Sequence, residues 1–357
     1  NPLDLVELYG ADATRFSLLA QAGAVQDVRF DAEIKDNVVQ SSTSAEMGRN
    51  FGNKVWNAAR FVLMNMEGYD AESAQPSRDM LPDRWIWSRL AQTVREIDER
   101  LQNYRFSDVI RAIYDFLWRD YCDWYLELAK ARLHGNDASE RAAVQKNLVY
   151  ILETALRLMH PIMPFITESL WQALPKGASA GESIMVAPWP LAILSDVDTG
   201  AESEMARVQE IVTAVRTIRA EMNVPPASKV AVVISANSDE LAEQLRGIAE
   251  YISLLARAES VEIGTHLDQP PASGSAVLGE IEIFVPLEGL IDLEVEQGRL
   301  EKEIAKFDKL VSSLEFKLKN EKFVANAPAE VVERERERER EYRENLQRLR
   351  ASLERIA

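Results

Sequence analysis

This sequence holds little of what catalytic sites are commonly built from. Its 357 residues include one cysteine and three histidines. A lone Cys122 excludes a disulfide framework and any Cys-rich zinc site, and it fits a reducing cytoplasm. His134, His160 and His266 stand in unrelated contexts, so neither a metal-ligand spacing nor a nucleophile triad can be assembled. No glycine-rich phosphate loop and no His-x-Gly-His motif occurs. No uncharged apolar run approaches the roughly 20 residues needed to cross a bilayer, and nothing at the N-terminus reads as a signal peptide. Cations are outnumbered: 41 Lys and Arg face 58 Asp and Glu, a formal charge of −17. A uniformly acidic surface repels phosphate, which argues against a nonspecific polyanion or DNA binder and confines any nucleic-acid contact to local patches. The chain opens on Asn1 rather than Met, which points to a piece of a longer protein.

What is present is helix. The length exceeds a usual single core, so two or three domains are expected, and 46% hydrophobic content is ample to fold them. Residues 2–36 read as short and mixed, with a helix, a turn at Gly10 and a second helix begun by Asp12. From 44 to 174 the pattern is helical, with turns at 68–82, at 134–137 and at Pro161 and Pro164, which implies a bundle of about four long helices. A small α+β module follows: a helix at 202–222 stopped by Pro225-Pro226, a strand at 229–235, a helix carrying Leu241, Leu245, Ile248, Ile252 and Leu255, and strands at 261–263 and 277–286.

The last 65 residues read as a helix that runs out, turns and returns. Leu300, Ile304, Phe307, Val311, Leu314 and Leu318 fall four and three apart, and Tyr342, Leu346, Leu349, Leu353 and Ile356 repeat that seam spacing. Pro328 lacks a backbone donor and disfavours helix at Ala327, so the chain must break between the two runs. The expectation is an antiparallel coiled-coil hairpin, with an outbound helix on the order of 40 Å long. From Leu290 onward 15 Lys and Arg meet 16 Asp and Glu, so the arm is nearly neutral and the rest of the chain carries the acidic excess. The alternating Arg and Glu of 333–341 put like charges at i and i+4, with three-residue pairs of opposite sign in partial compensation, so this helix is expected to be weak in isolation.

One helix offers a contact surface. Starting near Glu46, it clusters Met47, Phe51, Val55, Ala58 and Val62 on one side and Arg49, Asn53, Trp56 and Arg60 roughly opposite, with Asn57 at their edge. Guanidinium groups pair with phosphate, amides read base edges, and an indole stacks an unpaired base. Spacing alone leaves this reading level with another in which Trp56 packs under a second helix, an arrangement that Leu63 and Met64 favour at the C-terminal end. Other groups read as structural: His160 as a hydrogen-bonded core histidine, Cys122 as a small core residue, and Asp123 and Glu127 as a solvated or Arg-paired face.

Several stretches carry a family resemblance. NEKFVANAPAEVVERE (320–335) resembles the tip and return of the C-terminal arm of bacterial valyl-tRNA synthetases, and RNFGNKVWNAARFVLMN (49–65) is similar to the first long helix of their anticodon-binding bundle. FLWRDYCDWYLELAKARL (116–133) and LMHPIMPFITESLW (158–171) resemble bundle motifs of the valine, isoleucine, leucine and methionine enzymes. VRTIRAEMNVPP (215–226) and the Gly-Ala-Asp-Ala-x-Arg motif ending in Arg15 fit the same family. The resemblance implies a mainly α chain in four parts: 1–43, the end of the catalytic core and its connection; 44–190, the anticodon-binding bundle; 191–289, the α+β junction; and 290–357, the tRNA-binding arm.

It further implies a function, the tRNA-recognition portion of an enzyme that joins valine to its tRNA with ATP and Mg. The bundle would hold the anticodon through Arg49, Asn53, Lys54, Trp56, Asn57 and Arg60. The module and arm would offer Arg216, Arg219, Lys302, Lys306, Lys309, Lys317, Lys319 and Lys322 to phosphates, although Arg216 and Arg219 read more readily as structural bridges between the bundle and the arm. The class I signature motifs and the proofreading domain lie outside this sequence, so it should neither activate valine nor hold a cofactor or metal. A monomer is expected, with no membrane contact. Two rivals remain: a sister synthetase, although isoleucyl members generally end in a zinc module that one cysteine cannot build, and a coiled-coil protein scaffold that binds no RNA.

Overall fold

Gly10 adopts φ +88°, a left-handed value that strains any residue with a Cβ, and divides helix α1 (Pro2–Tyr9) from α2 (Ala11–Ala20). The computed structural model describes residues 2–22, 30–177, 181–290, 293–320 and 328–356. Asp36 and Asn37, both at positive φ, turn strand β1 (Glu33–Lys35) back into β2 (Val38–Ser41). Two consecutive left-handed residues make the tight turn whose twist matches paired strands. Strands of three and four residues are too short to show alternation, so this hairpin is absent from the expectation above.

Helix α3 (Thr43–Met64) starts three residues before Glu46 because Ser42 caps it, the Ala45 amide donating to the Ser42 hydroxyl at 3.1 Å. The bundle continues through α4 (Leu81–Gln102), α5 (Phe106–Tyr114), a π-helical stretch (Asp115–Tyr125), α6 (Leu126–Leu133), α7 (Ala138–Met159) and α8 (Pro164–Ala173). Apolar spacing predicts helix throughout the FLWRDYCDWY run but not its widened π turns.

The bundle core joins these elements side chain by side chain. The Phe16, Phe51 and Tyr114 rings follow one another at 5.0 and 5.1 Å. Gly48 permits backbone contact between α2 and α3, since a Cβ there would stand 2.6 Å from the Ala13 carbonyl oxygen. Asp83 is fully buried and accepts from the Tyr125 hydroxyl at 2.8 Å and from Arg132 at 2.9 Å, which ties α4 to the π-helical stretch and α6. Burial, with the neighbouring Asp83 charge, holds the Tyr125 hydroxyl well above its ordinary pKa.

The described chain forms two units, Asn1–Met205 and Ala206–Ala357, and the division falls within α9 (Thr199–Glu221). In the second unit a four-stranded sheet has the order β4-β3-β6-β5. Strands β3 (Val230–Ala236) and β4 (Ala258–Thr265) are parallel, so the chain must cross over between them, and α10 (Asp239–Gly247) and α11 (Ala249–Ala256) make that crossing. The single helix expected there is thus two, broken at Gly247 and Ile248. The strand expected at 277–286 is likewise a hairpin, β5 (Ser273–Leu278) and β6 (Ile281–Pro286), turned at Gly279 with φ +57°. Gly274 lets β5 lie against α9, because a Cβ there would meet Ile218 at 2.3 Å.

The unit ends in α12 (Leu293–Lys319) and α13 (Ala329–Ile356). Late residues of one meet early residues of the other: Asp308 pairs with Arg350 at 2.8 Å, Glu315 with Arg343 at 2.6 Å, and Lys317 with Glu335 at 2.9 Å. The two helices therefore run antiparallel, with Phe307 set edge-on to Tyr342 at 5.7 Å. Most of the predicted tip, residues 321–327, and the Ile356 side chain lie outside the described residues.

Candidate nucleic-acid interface

Helix α3 divides as its periodicity requires. Phe51, Val55, Ala58, Ala59 and Val62 are buried, while Asn53, Trp56, Asn57 and Arg60 face solvent. Trp56 is 49% exposed. An indole is among the side chains that gain most from burial, so a half-exposed one beside exposed amides and a guanidinium favours the contact reading over the packed one. Leu63 and Met64 do not extend a buried stripe: Leu63 is half-buried and Met64 is 72% exposed. Met47, assigned to the apolar side, is also exposed.

The two cations at the start of the stripe are already held. Arg49 pairs with Glu46 at 2.6 Å and stands 5.4 Å from the Tyr9 ring centroid. Lys54 pairs with Asp123 at 2.7 Å and stands 5.1 Å from the Trp118 ring, which stacks in turn on Tyr114. Both are positioned by neighbours that offset their charge, whereas Arg60 is simply exposed.

Beside Arg49 and Asn53 runs a groove floored by Gly10, Ala11, Gly48 and Gly52 and edged by Tyr9 and Phe165. Phe165 is 66% exposed, and sequence reasoning missed it: within an apolar His-Pro-Ile-Met-Pro-Phe run no spacing signal tells an exposed ring from a buried one. The groove is braced from the N-terminal motif. Asp12 accepts from the Phe165 and Ile166 amides at 3.2 and 2.7 Å at the start of α8, and Arg15 donates to the Pro161 and Ile162 carbonyls at 2.8 and 3.0 Å.

In the second unit, Arg216 is exposed and donates to the Leu255 carbonyl at 3.0 Å. Arg219 is 8% exposed, its guanidinium donating to the carbonyls of Ala256, Pro225, Pro226 and Ser228. That corrects its reading as a phosphate contact, since it braces the turn after α9 instead. On the arm Lys302, Lys306 and Lys309 are exposed. Lys317 is committed to Glu335 across the helix pair and Lys319 lies 3.6 Å from Glu315, while Lys322 lies outside the described residues.

Three other expectations resolve locally. His160 is half-buried with Nδ1 2.7 Å from the Thr167 hydroxyl, and burial lowers its pKa. Cys122 is buried, and burial pushes its thiol up to about 12. Asp123 and Glu127 are paired with Lys54 and Lys130, lysines where arginines were expected. Among the described residues no cluster of three or more His, Cys, Asp or Glu could hold a metal ion, and no helix is long and apolar enough to cross a membrane.

Comparison with known proteins now bears on this geometry. Residues 83–234 match the anticodon-binding domain of tRNA ligase, and residues 292–357 match the valyl tRNA synthetase tRNA binding arm. The valine–tRNA ligase of Geobacter sulfurreducens is 41% identical and that of Syntrophotalea carbinolica 40%, each over 100% of this chain. That of Bacillus subtilis is 37% identical over 96%. The chain spans about two fifths of the length of these curated relatives, 39, 39 and 38% respectively. Among solved structures, the ternary LeuRS-tRNA-LeuAMS complex from Agrobacterium radiobacter K84 aligns at a TM-score of 0.38 and 17% identity, over 74% of this chain and 30% of that one. Helix α3 lies before the matched range 83–234 but inside the region the relatives cover.

Proposed function

We propose, from the premise that this chain belongs to the valyl-tRNA synthetase family, that it is the tRNA-recognition portion of an enzyme that joins valine to its tRNA. The whole protein would draw on ATP and Mg for that reaction, with the chemistry performed by parts beyond this chain. The four-part division 1–43, 44–190, 191–289 and 290–357 is retained as the functional one. The bundle binds the anticodon loop, and the arm rests on the outer corner of the same tRNA. The molecule works in the cytoplasm as a monomer.

The exposed stripe on α3 carries this reading. Asn53, Trp56, Asn57 and Arg60 combine hydrogen-bonding edges, a stacking surface and one cation on a helix whose opposite face is buried. Arg49 and Lys54 join them as positioned, partly neutralised cations, and Phe165 extends the aromatic surface along the groove. On the arm the exposed Lys302, Lys306 and Lys309 are the phosphate contacts, with Lys319 beside them.

Filter binding of valine tRNA and a noncognate tRNA across a salt series tests the proposal. Retention of valine tRNA should be selective and should weaken as salt rises, since each phosphate contact releases counterions. Equal retention of both tRNAs, or of neither, would count against anticodon recognition. A protein scaffold would give neither.

A further inference from the structure

The two outward sides of the arm differ in chemistry. Helix α12 buries Val311 and Leu314 at its seam with α13. At roughly 100° per residue, the side away from that seam carries Lys302, Lys309 and Phe316, spaced by two turns, about 10 Å, from one to the next. All three are exposed, as are Lys306, Ser312 and Ser313 beside them. Phe316 leaves 79% of its surface in water.

These lysines are uncommitted as well as exposed. Among the described residues no carboxylate stands within ion-pair distance of Lys302, Lys306 or Lys309. The acids of α12 near them are engaged elsewhere: Glu303 with Arg299 at 3.1 Å, Asp308 with Arg350 at 2.8 Å and Glu315 with Arg343 at 2.6 Å. Glu301 alone remains exposed beside Lys302. The outward side of α12 is therefore locally positive in a chain of −17. Helix α13 is the reverse case. Arg336, Arg338, Arg340 and Arg343 each lie 2.6 to 3.7 Å from a glutamate, and its one ring, Tyr342, is set against Phe307. Unpaired lysines draw a phosphate backbone, and a bare ring among them offers a stacking face to a base. Lysine is depleted in protein–protein interfaces, so this surface suits RNA.

We infer, resting on the proposed function for the identity of the RNA, that the arm meets the tRNA with the outward side of α12. Phe316 stacks on an exposed base at the corner, while Lys302, Lys306 and Lys309 hold the adjoining phosphates. The outward side of α13 stays in solvent.

Fluorescence anisotropy with labelled valine tRNA at fixed salt tests this assignment. Phe316→Ala should weaken binding about fivefold or more, at an unchanged melting temperature because the ring is already in water. Phe316→Trp should keep the affinity, and its added emission, read against the unsubstituted chain, should be quenched by the tRNA. Lys309→Glu should also weaken binding and lower its salt dependence, whereas Arg334→Glu on the outward side of α13 should change affinity by less than about twofold. Binding that Phe316→Ala leaves intact, an unquenched tryptophan, or an equal loss from Arg334→Glu overturns the inference and leaves the proposed function standing. Self-association of the chain that Phe316→Ala abolishes overturns it too, since the ring would then be a protein contact. No binding of tRNA by the unsubstituted chain would sink the proposed function and this assignment with it.

Discussion

Trp56 and Asp83 show how differently two residues of one bundle are used. Trp56 leaves half its surface in water, so removing it should cost little stability. Trp56→Ala should weaken tRNA binding by about 1 to 3 kcal/mol if a base stacks there, with an unchanged melting temperature. Unchanged affinity with earlier melting would make the indole a packing residue after all. Asp83 has no exposed surface and holds both Tyr125 and Arg132. Asp83→Ala should therefore destabilise the bundle by about 2 to 4 kcal/mol, because it removes the acceptor of the buried Tyr125 hydroxyl and leaves the largely buried Arg132 with Glu140 in place of two carboxylates. Urea unfolding reads this directly, and a loss well under 1 kcal/mol would contradict it. The sequence marks Trp56 through a spacing that sets it opposite Phe51 and Val55. It hides Asp83 and Arg219, since an acid or a guanidinium in a helical run looks solvated until its tertiary partners are known.

At the scale of elements, the arm is where sequence spacing reads best and still omits something. Val332 is buried, and Glu335 and Glu339 follow it at seam positions before Tyr342 and Leu346 take up the apolar repeat. Their side chains are only 13 and 12% exposed. An apolar search starts the return seam at Tyr342 because two of the positions before it are acidic. Chief among the influences on Glu335, the hydrogen bond from Lys317 holds its pKa below the ordinary 4.5. A carboxylate depressed in the folded state contributes stability that is present above its unfolded value and lost as pH falls through the folded one. Pairing of α12 with α13 should thus loosen below about pH 4.5, read as energy transfer between labels at the exposed Ser312 and Gln347. Glu335→Gln should flatten that acid transition, and an identical transition in the variant would show that other groups drive it.

The same scale explains what was legible and what was not. Helices α3, α4 and α7 each run 22 residues, long enough for the apolar period to repeat and be read. Hairpin β1–β2, the break between α10 and α11 and the turn at Gly279 each depend on one or two residues at unusual dihedrals, which periodicity cannot register. The π-helical stretch keeps a helix-like pattern while changing its hydrogen bonds. Removal of residues 290–357 tests the arm as an element. Helix α13 packs against β5, so the sheet should lose stability while the bundle, whose core lies within residues 2–205, keeps its own melting transition. Loss of the bundle transition would refute that independence.

For the whole molecule, the charge distribution organises the account. A chain of −17 does not hold RNA by general attraction, so the proposed recognition is assigned to local surfaces, the stripe of α3 with Arg49, Lys54 and Arg60 and the nearly neutral arm. These surfaces belong to different units, and the proposed tRNA would meet each of them. Nuclease and hydroxyl-radical footprinting of valine tRNA bound to this chain is the most direct test. The account predicts two separate zones of protection, one at the anticodon loop that Trp56→Ala diminishes and one at the outer corner that removal of residues 290–357 abolishes. Protection confined to a single zone, or unaffected by both changes, would contradict it.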